Sequence, residues 1–399
     1  MIAFYVFAAV SLWLGILSLR GGFRFAAYLQ EELPRRRSDF TPFVTVFAPC
    51  RGVDEGFAEN LSALFEQDYS KYEVIFVTDS AQDQSVGRIK TLINNASLPA
   101  RLIIAGPAID CGQKVHNLRI AVQSADARAE VFAFVDTDAR PRPNWLQSLV
   151  APLADESVGA ATGYRWFVPL KFNFASQFRA VWNASIASAL GADRQKNFCW
   201  GGSTAIRRST FERLNMRERW RGTVSDDFTL TKALHDADMP IHFVPACLVP
   251  AVDDCSTREL FEFTNRQLTI TRVYMPNLWK PVLLGSLLFC LAFFGGIAIT
   301  VARFFNGRSL IIPTLMLLSI YVLGALKAHI RWKAVASAMP EYRPSMRRGW
   351  IFHLTLWPFA SALFLWNALA AAVSRRIKWR GITYELRSAH EAVIIKSNL

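Results

Sequence analysis

The chain has 399 residues, 52% of them hydrophobic, and a formal net charge of +13. That length allows two or more domains, and the hydrophobicity is unevenly spread along them. The basic excess gathers beside apolar segments, so attraction to anionic lipid headgroups accounts for it more simply than nucleic acid does, and no nucleic-acid partner is expected.

Residues 1–19 are almost wholly apolar and end at Arg20, which predicts an N-terminal transmembrane helix over 1–20. A secretory signal peptide is the rival reading; it is disfavoured because no basic region precedes the run. Arg20, Arg24, Arg35, Arg36 and Arg37 follow it. Three further apolar stretches near 282–302, 309–328 and 350–373 are each long enough to be spanning candidates. Lys327, Arg331, Lys333, Arg343, Arg347 and Arg348 lie between the last two. The positive-inside rule places both basic regions, and the large domain between them, in the cytoplasm. Arg303 and Arg308, in the link expected outside, run mildly against it.

Four full spans would leave the C-terminus outside, yet Arg375, Arg376, Lys378 and Arg380 argue for the inside. Pro358 interrupts the last apolar stretch, which predicts a re-entrant or interfacial pair of half-helices there. The expected organisation is therefore a helix over 1–20, a cytosolic domain over 40–255, an interfacial amphipathic helix over 256–280, two to three membrane segments over 281–375 and a cytosolic tail over 376–399. The six cysteines lack CxxC or metal spacing and fit reduced thiols in a cytosolic domain. A bacterial inner membrane is the expected location.

Within the soluble region, Phe43 to Cys50 reads as a strand stopped by Pro49 and a turn at Arg51-Gly52. Glu55 to Phe65 carries apolar residues on one helical face. Tyr72 to Asp79 is a second strand ending in an acid, followed by a helix from Ser85 to Ile93. Arg101 to Ala105 is a third strand, Lys114 to Ser124 a helix, and Val131 to Val135 a fourth strand. Strands alternating with helices imply right-handed βαβ units and a mostly parallel α/β sheet. Ala160 to Trp166 is a further strand candidate. Trp200 to Arg208 reads as a glycine turn running into an apolar and then a basic segment. Ser225 is the N-cap of a helix whose first turn holds Asp226 and Asp227. Residues 257 to 277 read as an amphipathic helix at the membrane interface.

The run Phe132-Ala-Phe-Val-Asp136-Thr-Asp138 carries the sharpest chemistry. Four apolar residues end in two carboxylates spaced i, i+2, at the strand end where open α/β sheets bind ligands. Hard divalent cations take one or two such carboxylates together with substrate phosphates. The spacing therefore points to a metal-held diphosphate. In chain order it stands among Asp79, Lys114-Val-His-Asn117-Leu, Gly201-Gly202, Asp226-Asp227, Arg266-Gln267-Leu and Trp379-Arg380-Gly381-Ile-Thr-Tyr384.

That order, with the flanking apolar segments, resembles the membrane-bound glycosyltransferase family 2 group of GT-A fold, and most of all its ceramide glucosyltransferase-like branch. The resemblance implies a GT-A (Rossmann-like) cytosolic domain and transfer of a hexose, with inversion, from a nucleotide sugar of the UDP-glucose kind to a ceramide-like lipid hydroxyl. It implies Asp79 on the uracil or ribose, Lys114 and Asn117 on the donor nucleotide and phosphates, and Asp136 on the ribose or the metal. Asp138 would ligate the divalent cation, Mg or Mn. Asp227 would be the general base, with Asp226 standing where the family has Glu. Gly201 and Gly202 would let the backbone approach the sugar.

The family's R/Q-x-x-R-W motif departs here. Arg266 and Gln267 open it, but Thr269 and Ile270 stand in place of Arg-Trp, and Arg272 is expected to supply the missing charge. A processive polysaccharide synthase of the cellulose or hyaluronan type is the alternative enzyme, though it normally carries an intact Q-x-x-R-W. A catalytically inactive membrane scaffold is the alternative from another class.

Overall fold

The structure is a computed structural model, and it describes residues 2–35 and 38–397. Arg36 and Arg37, counted above among the basic residues after the first apolar segment, lie outside the described residues. The chain divides into two compact units. One gathers 1–30, 169–188 and 254–374; the other gathers 31–168, 189–253 and 375–399.

The second unit is built on a seven-stranded sheet. Its strands are β1 (Val44–Pro49), β2 (Tyr72–Thr78), β3 (Ala100–Ile104), β4 (Val131–Phe134), β5 (Ala160–Phe167), β6 (Thr204–Arg207) and β7 (Ile241–Ala251), in the order β3-β2-β1-β4-β6-β5-β7. β6 alone runs antiparallel to its neighbours β4 and β5; the other pairings are parallel. The mostly parallel α/β sheet expected from the strand–helix alternation is borne out. β7 lies at the edge, which is why it can contain Pro245 and Pro250. At Gly163 the β5–β7 register shifts, and a side chain there would run into the Cys247 carbonyl.

The core lies under the strand ends that matter. Phe47 of β1 stacks on Phe134 at 5.4 Å and meets Phe132 edge-on at 5.3 Å. Phe134 in turn meets Trp220 edge-on at 5.7 Å. The buried Trp220 Nε1 donates to the Asp226 carbonyl at 3.1 Å, at the start of the helix Asp226–Asp236. Each aromatic pair contributes about 0.5–1.5 kcal/mol beyond its buried area. The same cluster fixes the spacing between the end of β4 and the start of that helix. Ser225 caps the helix as expected, its hydroxyl accepting from the Phe228 N–H.

Residues 376–397, read from the sequence as a tail, form a second sheet of three antiparallel strands: β8 (Arg376–Trp379), β9 (Ile382–Ser388) and β10 (Glu391–Ser397). Arg380 and Gly381 turn the first hairpin, both with positive φ, as a two-residue type I′ turn requires.

In the first unit, three helices among the described residues are long and apolar enough to cross a membrane: Ile2–Glu32, Pro276–Phe305 and Ile311–Ala338. Phe4 and Ala8 of the first pack with Phe293 of the second and Ile320 of the third. The last apolar stretch is split into 340–355 and Trp357–Val373, bent by 73°. The break falls at Leu356, and Pro358 lies in the first turn of the second half, where it costs no helical hydrogen bond. The amphipathic segment forms the helix Thr257–Tyr274, opened by a capping box between Ser256 and Glu259.

Candidate active site

β4 ends in the buried run Val131–Val135, and the chain then turns through Asp136 and Asp138, both half-buried. Asn60 holds the turn, its Nδ2 donating to the Thr137 carbonyl at 3.1 Å. Lys114, in the first turn of the helix Gln113–Ala121, reaches two acids at once. Its Nζ lies 2.8 Å from Asp136 Oδ1 and 3.2 Å from Asp226 Oδ1. One amine thus ties the end of β4 to the start of the helix Asp226–Asp236. Burial works against the charge on Lys114, yet Asp136, Asp226 and Asp227 together hold its pKa above the ordinary lysine value. Burial pushes the Asp226 carboxyl up to about 6, with Lys114 opposing the shift.

Gly201 lies directly over this ion triad. A Cβ there would collide with Asp226 Oδ2 and come within 2.6 Å of the Lys114 Nζ. Its N–H points at Asp227 Oδ2 from 3.4 Å. Asp227 Oδ1 accepts from the Ser225 hydroxyl and, at 2.8 Å, from the Phe228 N–H. Asp227 therefore has one firmly held oxygen and one loosely held oxygen. Gly202 serves differently: a side chain there would strike the Trp200 ring.

Asp79, buried at the end of β2, is ion-paired with Arg51. The Arg51 Nε donates to the Arg380 carbonyl at 3.0 Å, and Arg380 pairs with Asp54 through both of its terminal nitrogens. Arg380 and Arg165 both act electrostatically on Asp138. Burial first, and then Asp136, raise the Asp138 carboxyl above its usual range against these two cations. Asn117 is buried and accepts from Gln113 Nε2 at 2.8 Å. The Gln113 N–H, one of the donors left open at a helix start, is satisfied at 3.1 Å by the Tyr384 hydroxyl of β9.

Asp136, Lys114, Gly201, Asp226 and Asp227 are thus brought into one contact network, and Asp79 is linked by Arg51 to the β8–β9 hairpin. Arg51, Asp54 and Arg165 were not singled out in the sequence. Arg380 enters the sequence reading only as a basic tail residue and as part of the Trp379-Arg380-Gly381 motif, with no role in the site. Arg266, Gln267 and Arg272 lie on the helix Thr257–Tyr274 of the other unit. There Arg266 stacks over Phe263. Arg272 lies over Trp279 and donates to the Ala371 carbonyl in the last turn of Trp357–Val373.

No group of three His, Cys, Asp or Glu suited to a metal occurs among the described residues. The Asp136–Asp138 pair nonetheless fits a hard divalent cation that takes its remaining oxygens from a diphosphate and water. Its donors are all oxygen, and a cation would relieve both the burial and the Asp136 repulsion that raise Asp138.

A sequence profile described as glycosyl transferase family 21 matches residues 3–392. The chain belongs to glycosyl transferase family 21. The family match takes in the apolar helices, β8 and β9 as well as the carboxylate network. Among curated relatives, ceramide glucosyltransferase 1 of Caenorhabditis elegans is 20% identical over 202 residues, which is 48% of this chain and 42% of that protein. The hyaluronan synthase of Streptococcus pyogenes is 29% identical over 140 residues, 35% of this chain and 32% of that protein. The chain thus spans less than half the length of these relatives. Among solved structures, a mannosyltransferase from Pyrobaculum calidifontis, in complex with GDP-Man and Mn2+, superposes with a TM-score of 0.46 at 17% identity, covering 92% of this chain and 98% of that one.

Proposed function

We propose that this family 21 chain is an inverting hexosyltransferase that moves a sugar from a UDP-linked donor to a lipid hydroxyl at the cytoplasmic face of a membrane. The observation that carries the reading is the Lys114 bridge, which joins the strand-end acids to the Asp226–Asp227 helix start. Asp79 and Asn117 serve the nucleotide, with Asp79 exchanging Arg51 for the base or ribose. Lys114, Arg165 and Arg380 are the cations facing the Asp136–Asp138 turn, and they oppose the negative charge of a diphosphate. Asp138, with Asp136, would hold a Mg or Mn ion, which supplies charge neutralisation for the leaving diphosphate.

In the proposed step the acceptor oxygen attacks the anomeric carbon as the bond to the diphosphate breaks, and the bonding pair leaves with the diphosphate. Asp227 takes the hydroxyl proton through its loosely held Oδ2. A single displacement inverts the centre and needs no second nucleophilic carboxylate. Asp226 stays bound to Lys114 and positions it. Gly201 and Gly202 let the backbone come close to the sugar. Arg266 and Gln267 are proposed for the acceptor side. Arg272, already engaged with Ala371 and Trp279, is a weaker candidate for the phosphate charge than Arg380.

The apolar helices support a lipid acceptor, because its tail can stay in the bilayer, and the ceramide glucosyltransferase relative supports a ceramide-like one. The hyaluronan synthase match favours a second reading, a processive polymerase. Membranes carrying the protein, incubated with labelled nucleotide sugars, should yield a lipid bearing a single hexose by mass spectrometry. A polymeric product would select the second reading, and no labelled product with any donor would reject both.

A further inference from the structure

A separate cluster of positive charge lies inside the helical unit. The helix Ile311–Ala338 is uncharged from Ile311 to Leu326, about 24 Å at ~1.5 Å per residue. Lys327 and Arg331 then follow one turn apart. For a bilayer core about 30 Å thick, that position is the level of the headgroups.

Arg331 is only 4% exposed, and no hydrogen bond or ion pair among the described residues engages its side chain; its Nε is buried without a partner. Lys327 has only a hydroxyl partner, donating to Ser18 Oγ at 2.7 Å from the helix Ile2–Glu32. Gly22 of that helix also lies close against Lys327, whose Cγ would be 3.2 Å from a Cβ there. Arg331 acts electrostatically on Lys327 and on the buried His353 of the helix Arg343–Thr355. No acidic side chain among the described residues pairs with Lys327 or Arg331. Like charges at i, i+4 repel, and a buried guanidinium without an anion is costly. Arg343, Arg347 and Arg348 add an exposed basic rim on the adjoining helix.

We propose that Arg331, with Lys327, binds the headgroup of an anionic phospholipid between the helices Ile2–Glu32, Ile311–Ala338 and Arg343–Thr355. The headgroup supplies the counter-charge that no described residue provides, and its acyl chains lie along the apolar turns of Ile311–Leu326. Basic pockets between membrane helices at headgroup depth bind anionic lipids in this way. The site stands apart from the glycosyltransfer reading and does not depend on it.

The test uses the full chain, purified in detergent and stripped of lipid, with binding read by native mass spectrometry and thermal protection. Phosphatidylglycerol should bind at least ten-fold more tightly than phosphatidylcholine. Arg331→Gln should lose that preference, and Arg331→Lys should keep it within about three-fold. Equal binding of the two lipids by the unmodified protein would overturn the proposal, as would an undiminished preference in Arg331→Gln. Inorganic phosphate protecting as well as phosphatidylglycerol at equal concentration would show a free-anion site and overturn the lipid assignment. Should Arg331→Gln not fold, the two-lipid comparison and Arg331→Lys still decide the matter.

Discussion

Lys114→Met removes the amine that holds Asp136 at 2.8 Å and Asp226 at 3.2 Å while keeping most of the side-chain volume. Left charged and unpaired, a buried carboxylate such as Asp226 would cost about 3–5 kcal/mol. Protonation caps that cost. With its pKa already near 6 beside Lys114, Asp226 takes a proton at neutral pH for on the order of 1 kcal/mol. Adding a smaller term for the more exposed Asp136, the variant should lose about 2 kcal/mol. That corresponds to a Tm lower by ~4–8 °C for a unit of this size. The pH dependence has a definite sign. Asp226 binds its proton more tightly folded than unfolded, so its contribution to stability is fully present below about pH 4 and is lost as pH rises through about 6. Lys114 is the first of the influences that hold this pKa down. Without it the Asp226 carboxyl is pushed further up, and transfer at pH 7 should fall at least a hundred-fold. Rates from pH 5 to 8 and thermal unfolding of the purified chain check both effects. A variant with an unchanged Tm and a rate at pH 7 within three-fold would refute the bridging role.

Gly201→Ala places a methyl against Asp226 Oδ2 and within 2.6 Å of the Lys114 Nζ. It should cut transfer at least ten-fold while overpacking costs about 1–3 kcal/mol, read by initial rates beside thermal unfolding. Tyr384→Phe takes away the acceptor for the buried Gln113 N–H, and the full chain should lose about 1–3 kcal/mol in denaturant titration. Chelation by EDTA should abolish transfer, and either Mg2+ or Mn2+ should restore it; transfer that is indifferent to EDTA would remove the metal from the account.

The strands that carry the site were legible because apolar runs such as Phe132–Val135 stop abruptly at acids. β7 was not, since Pro245 and Pro250 argue against a strand until its edge position is known. β6 is four residues long and reads as the end of a glycine turn. The Asp136–Asp138 and Asp226–Asp227 pairs could be picked out locally, but the Lys114 bridge between them is tertiary. Arg51 and Arg380 were harder still, being 329 residues apart in sequence and joined by one hydrogen bond. Nor does any local pattern announce that Tyr384 caps the helix bearing Lys114. The C-terminal sheet has short strands and a turn in which Arg380, not the favoured Asn or Asp, precedes Gly381.

The central claim is that Asp227 takes the acceptor proton. Asp227→Asn keeps the shape and the Phe228 N–H contact but cannot accept that proton. Sugar transfer from the preferred nucleotide sugar, measured with donor binding in the same preparation, should fall by about 10²–10⁴-fold while donor affinity stays within three-fold. Full transfer activity in Asp227→Asn would contradict the account.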